Sequence, residues 1–191
     1  ITVCNAGDVM YDAYLFEYNK CKNMEILFKQ YALEKNNYIL LTIHRDENVN
    51  PESLKKIFHG LEKINDKILF PVHPRTRKLI EQSNICIGNN IHCVEPLGYR
   101  EILFLQKNAR MIITDSGGIQ KEAYFSSVPC ITLMEKTGWP ETVATGWNTL
   151  IGADYDFPKH INKKREYSMD GCQLFGDGQA GTKMVNILTK A

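Results

Sequence analysis

The run Ile39-Leu40-Leu41-Thr42-Ile43 is apolar on successive residues instead of alternate ones, so a strand built from it has both faces covered. Runs of similar length span 1–5, 38–44, 68–73, 91–95, 111–115 and 130–134, with a weaker one at 148–152. Helical patterns separate them. Leu54, Ile57, Phe58, Leu61 and Ile64 recur at helical spacing, with Asn50 as N-cap and Pro51 as first helical residue. Shorter helices are expected over 99–108 and 119–126, and a closing helix over 179–188. Strand and helix in rotation predict an α/β fold, a Rossmann-like parallel sheet with helices on both faces. Residues 154–175 break the rhythm: they are polar, carry a basic run at 159–165, and read as a surface loop. With 191 residues, 43% of them hydrophobic, the chain fits one domain over 1–191.

Composition narrows the partners. A net charge of +1 gives no electrostatic reason to expect nucleic acid or an anionic membrane surface. No apolar run approaches the roughly 18 residues that cross a bilayer. The six cysteines are scattered without a C-x-x-C pair, and Cys4, Cys93 and Cys130 sit in apolar runs as small hydrophobes, so a reduced, cytoplasmic setting is expected. The five histidines show no ligand spacing, so no metal is expected. Neither G-x-x-x-x-G-K-[ST] nor G-x-G-x-x-G is present, which argues against an ATPase and a nicotinamide enzyme, and no cofactor is expected. No basic stretch opens the chain, so no signal peptide is expected. The chain starts without methionine in what reads as the middle of a strand, so a piece of a longer protein is expected.

In a parallel sheet, ligands bind beyond the carboxyl ends of the strands. The residues there are His44-Arg45-Asp46-Glu47-Asn48, His73-Pro74-Arg75, Glu95-Pro96-Leu97-Gly98-Tyr99, Asp115-Ser116-Gly117-Gly118 and the stretch after Leu133. Asp115-Ser116-Gly117-Gly118 stands between a strand and a helix. Its glycines admit close approach, and the free N–H groups and dipole of a helix start favour an anion, a diphosphate above all. A plain tight turn with a helix cap fits the same residues. Glu122, four residues after Gly118, suits a pair of ribose hydroxyls; it equally suits the helix dipole alone. Arg45 offers a bidentate clamp, and His44 with Glu47 offers proton exchange near neutral pH. A structural histidine at a strand end is the bland alternative. His73 with Arg75 repeats the theme more weakly.

Together these segments resemble the non-hydrolysing UDP-N-acetylglucosamine 2-epimerases. Thr42-Ile43-His44-Arg45-Asp46-Glu47-Asn48, Glu95-Pro96-Leu97-Gly98-Tyr99, the segment from Thr114 to Ala123, and Pro140-Glu141-Thr142-Val143 match that family in order. Asn5-Ala6-Gly7-Asp8-Val9-Met10-Tyr11-Asp12-Ala13 resembles its crossover into the second domain. The resemblance implies the C-terminal half of a two-domain glycosyltransferase-B arrangement, with a UDP-sugar in the cleft and the N-terminal domain of the same enzyme as partner. A homodimer is among the assemblies it allows. It further implies that Ser116, Gly117 and Gly118 hold the diphosphate, Glu122 the ribose, and backbone near Leu97 and Ile102 the uracil. His44 matches the active-site histidine, and Arg45 and His73 match residues tied to a second, regulatory UDP-N-acetylglucosamine site. Met134, Gly138 and Trp139 depart from the family, where a basic residue and T-E-R-P-E are common. The resemblance implies that these residues alone, lacking the other wall of the cleft, do not epimerise. A hydrolysing 2-epimerase, a related glycosyltransferase and a non-catalytic nucleotide-sugar module remain the other readings.

Overall fold

The computed structural model describes residues 3–164, 166–168 and 174–189. Six parallel strands form one sheet in the order β3-β2-β1-β4-β5-β6: β1 (Tyr38–Thr42), β2 (Lys67–Pro71), β3 (Ile91–Val94), β4 (Met111–Thr114), β5 (Cys130–Thr132) and β6 (Asn148–Leu150). The continuous apolar runs have their expected cause. Ile39, Leu41, Ile43, Ile68 and Phe70 enter one core, beneath α3 (Pro51–Leu61) and α4 (Pro74–Gln82). Tyr38, Leu40, Leu69 and Ile112 enter the other, with Phe104 and Leu105 of α5 (Tyr99–Lys107) and Ala123 of α6 (Gly117–Phe125). The four inner strands β1, β2, β4 and β5 alternate their side chains between two buried faces, while the edge strands β3 and β6 are only partly covered.

The expected strand over 1–5 is not formed. Residues 3–5 have no sheet partner and Val3 is 90% exposed, while residues 1 and 2 lie outside the described residues. Cys4, expected to be buried there, is exposed as well. A short apolar run folds as a strand only where a sheet edge accepts it. The chain instead enters α1 (Val9–Tyr18), capped by Asp8, whose side chain accepts from Met10 N–H at 2.8 Å. Its Tyr14 reaches α6, hydroxyl to the Ser126 hydroxyl at 2.8 Å.

The stretch 154–175 is not a plain surface loop. Within it α8 (Phe157–Ile161) buries Phe157 and Ile161 in the core beside α3. Two large apolar residues at helical spacing outweighed the polar composition around them; residues 165 and 169–173 lie outside the described residues. The closing helix, α9 (Ala180–Leu188), packs on α1, where Asp12 accepts from the Ala180 and Gly181 N–H groups at 3.0 and 2.8 Å. It leaves Val185 and Leu188 exposed. Among the described residues, no helix is long and apolar enough to cross a membrane.

Candidate functional site

The strand order places β1 beside β4. From β1 the chain steps outward to β2 and β3, and from β4 the other way to β5 and β6. That junction is the switch point at which open α/β sheets bind ligands. Thr42 lies opposite Thr114, their hydroxyls 2.6 Å apart, and the two candidate loops leave from here side by side.

Asp115 joins them. Its side chain is 0% exposed and accepts from the backbone N–H groups of His44, at 2.9 Å, and Arg45, at 3.0 Å, and from the Asn48 amide at 3.0 Å. Arg45 Nε donates to the Asp115 carbonyl at 3.0 Å, and the Asn48 amide also reaches the Leu133 carbonyl at 3.2 Å. A buried carboxylate taken up by several N–H donors fixes the geometry of both loops. The side chains of His44, Arg45 and Glu47 are exposed beyond it. Arg45, Glu47, Met134, Glu135 and Tyr155 line a cavity of about 560 Å³; His44 does not line it. A cavity of equal volume at the opposite end of the sheet, by Lys67 and Arg110, contains none of the expected site residues.

On the β4 side, Ser116 caps α6, its hydroxyl accepting from Ile119 N–H at 3.4 Å. The N–H groups of Gly117 and Gly118 have no acceptor among the described residues. A Cβ on Gly117 would stand 3.5 Å from Trp139 Nε1, and one on Gly118 3.4 Å from Met10 Cε, so a side chain here would be in ordinary contact with both. The turn is thus capped by its serine, as the plain-turn reading requires, and it also presents open donors.

Glu122 is 5% exposed, accepting from the Tyr99 hydroxyl at 2.8 Å and the Gln106 amide at 2.9 Å. Burial pushes its pKa up, and those two hydrogen bonds pull against the shift. Each carboxylate oxygen keeps accepting capacity that these two hydrogen bonds do not use. Leu97 lies just before α5, the helix that brings Tyr99 to Glu122, and Ile102 lies within its first turn. His73 is set differently from His44. It caps α4, Nδ1 accepting from Arg75 N–H at 3.2 Å, so Pro74 and Arg75 are the first residues of a helix.

Several residues of this framework were not singled out as site residues from the sequence. Gln120, wholly buried, accepts from the Thr137 hydroxyl at 2.6 Å and from the Asn148 amide at 3.2 Å, tying the loop after β5 and β6 to α6. Lys121, 3% exposed, pairs with Asp8 and lies over the Trp139 ring, 4.1 Å from its centroid. Asn48 had a signal, as the last residue of the H-R-x-E-N segment. Gln106, in the last turn of α5 and remote in sequence from Glu122, had none. No group of His, Cys, Asp or Glu among the described residues is arranged to hold a metal ion.

Comparison with known proteins agrees with this geometry. A family model described as UDP-N-acetylglucosamine 2-epimerase matches residues 2–189. The chain is 42% identical, over 97% of its length, to a UDP-N-acetylglucosamine 2-epimerase homolog of Methanococcus maripaludis, of which it covers 54%. It is 35% identical, over 98% of its length, to UDP-2,3-diacetamido-2,3-dideoxy-D-glucuronate 2-epimerase of Pseudomonas aeruginosa, of which it covers 53%. The crystal structure of Methanocaldococcus jannaschii UDP-GlcNAc 2-epimerase in complex with UDP-GlcNAc and UDP superposes with a TM-score of 0.83 at 38% identity, over 98% of this chain and 55% of that one. The chain spans about half the length of the curated relatives it matches. With the family match running almost from end to end, and the matching motifs meeting at one switch point, this chain belongs to the UDP-N-acetylglucosamine 2-epimerase family.

Proposed function

We propose that the chain is a single UDP-binding domain of a non-hydrolysing UDP-N-acetylglucosamine 2-epimerase, and that an N-terminal domain supplies the other wall of the cleft. The observation that carries this reading is the pair of unsatisfied N–H groups on Gly117 and Gly118 at the sheet's switch point, in a chain 38% identical to an enzyme crystallised with UDP-GlcNAc and UDP. The diphosphate sits on Ser116, Gly117 and Gly118, where the helix start favours an anion without a net positive chain. Glu122 accepts from the ribose, and backbone near Leu97 and Ile102 pairs with the uracil.

The reaction is redox-neutral and needs no cofactor. A base takes the C2 proton, the C1–O bond breaks with its electron pair leaving on UDP, and a C1=C2 double bond forms. Re-addition of UDP at C1 and of a proton to the opposite face of C2 gives UDP-N-acetylmannosamine. His44 and Glu47 are the proton-handling groups of this wall, held at one strand end by the Asp115 hydrogen bonds. Arg45 and His73 belong to a second, regulatory UDP-N-acetylglucosamine site. The reading puts the protein in the cytoplasm, in keeping with the free thiols of Cys4, Cys21, Cys86 and Cys93.

Incubating the full-length protein with UDP-N-acetylglucosamine in deuterium oxide tests this. Deuterium at C2 together with UDP-N-acetylmannosamine is the expected result. Free N-acetylmannosamine with UDP would assign the hydrolysing reaction, and no exchange at C2 would overturn UDP-N-acetylglucosamine as the substrate. The Pseudomonas aeruginosa relative supports a second reading, the same inversion on a 2,3-diacetamido uronate. The same assay with that nucleotide sugar separates the two.

A further inference from the structure

Trp139 is fixed at two points on α6. Its backbone N–H donates to the Thr137 hydroxyl at 3.1 Å, and that hydroxyl donates to buried Gln120 at 2.6 Å. The next residue of α6, Lys121, lays its ammonium over the indole at 4.1 Å, and Asp8, at the entry to α1, pairs with that ammonium. Three segments thus converge on one half-buried ring. The indole Nε1 comes to rest beside Gly117, 3.5 Å from where a Cβ would stand, and it has no acceptor among the described residues. A half-buried tryptophan N–H ordinarily finds a partner. Here it stands beside Gly117, and the backbone N–H groups of Gly117 and Gly118 lack an acceptor among the described residues too. The indole N–H and two backbone N–H groups are thus left open at the start of α6.

We propose that Trp139 is a specificity-determining residue of this site, its indole N–H donating to a non-bridging oxygen of the diphosphate bound at the start of α6. The inference rests on the UDP-binding reading above. Lys121 acts as a positioning residue. Its charge is committed to Asp8 and the ring face, so it orients the indole and leaves the donors around the diphosphate neutral.

The test uses the full-length protein and Trp139→Phe, which keeps an aromatic face for Lys121 and removes the N–H along with the five-membered ring, a loss of volume that uridine binding reads separately. Wild-type protein binds UDP; in the variant UDP affinity falls about tenfold, the scale of one charge-assisted hydrogen bond, while uridine affinity is unchanged. Lys121→Met, which frees the ring, lowers UDP affinity as well and adds no further loss to Trp139→Phe. A second readout needs no variant. On UDP addition the Trp139 indole N–H resonance moves downfield, while that of Trp147, already bonded to the Ser168 carbonyl at 3.2 Å, stays in place. Wild-type UDP affinity in Trp139→Phe with an unmoved Trp139 resonance would overturn the inference and leave the UDP site standing. Equal losses for UDP and uridine would make the indole a packing residue. A wild-type protein that binds no UDP would sink both readings.

Discussion

The Asp115 carboxylate takes the backbone N–H of His44 at 2.9 Å and leaves the imidazole exposed and free to face a ligand. A carboxylate on the ring itself would have set its tautomer. One on the backbone sets only where the ring starts from. Because Ser116 comes directly after Asp115, the same residue ties the position of His44 to that of the phosphate cradle, and neither loop shifts without the other.

Asp115→Asn is therefore expected to act on geometry and stability together. An amide presents an N–H to a site that already holds three N–H donors, so one of them loses its acceptor in a buried place. The expected cost is about 1–3 kcal/mol of stability. Loss of epimerase activity should exceed the loss of UDP affinity, since the Gly117 and Gly118 amides remain. Denaturant unfolding and calorimetry with UDP measure both; an unchanged unfolding midpoint would show that water replaces the lost acceptor.

Gly118→Ala separates fold from ligand. Gly118 has no positive φ, and a Cβ there meets the flexible end of Met10 at 3.4 Å and the Ser116 hydroxyl at 3.9 Å, both ordinary contacts. Alanine also suits a helix better than glycine, so thermal stability should hold or rise. UDP binding should weaken by roughly 1–3 kcal/mol, the typical cost of a methyl group forced into a close contact. Retained UDP affinity in a folded variant would move the diphosphate off this glycine.

How much of this was legible in the sequence depended on how local the cause was. The strands β1, β2, β4 and β5 were readable because doubly buried strands are written as continuous apolar runs, and α3 because Asn50 and Pro51 announce its start. The two clusters that meet at the switch point were readable because each is contiguous. The pairs that shape the site were not. Glu122 meets Tyr99 and Gln106 across two helices, and Lys121 meets Asp8 over more than a hundred residues, with nothing in either local pattern to declare it. The helix α8 was hidden for a related reason: Phe157 and Ile161 find their core in α3, far back along the chain.

Gly60→Ala should destabilise the fold and the cavity wall at Tyr155 while leaving the Gly117–Gly118 cradle in place. Gly60 sits on the inner face of α3, where a Cβ would come within 2.3 Å of the Tyr155 carbonyl oxygen and 2.9 Å of the Phe157 ring. A methyl group there pushes α8 and its lead-in off the core, at a cost of roughly 1–3 kcal/mol. Thermal unfolding should show the loss, and UDP affinity well below the melting temperature should stay at the wild-type level. A matching loss of UDP affinity would show that the α8 region is coupled to the cradle.

Glu122 gives the fold a pH dependence whose sign is fixed by its burial. The carboxyl holds its proton more tightly in the folded protein than in the unfolded chain, chiefly because burial disfavours the charge. Below the ordinary glutamate value of 4.5 both states are protonated and the residue costs nothing. Stability then falls as pH rises toward the elevated folded value, and above it the penalty is constant. Glu122→Gln removes that penalty and keeps the shape. The Gln106 Oε1 atom, now without a partner, can turn to accept the new amide. The variant should therefore match wild type near pH 4 and melt at a higher temperature at pH 7. UDP affinity should move the other way, because an amide accepts ribose hydroxyls less strongly than a carboxylate. Melting curves and UDP titrations across that range check both. A variant less stable than wild type at pH 7 would mean that the Tyr99 and Gln106 hydrogen bonds outweigh the cost of burying the charge.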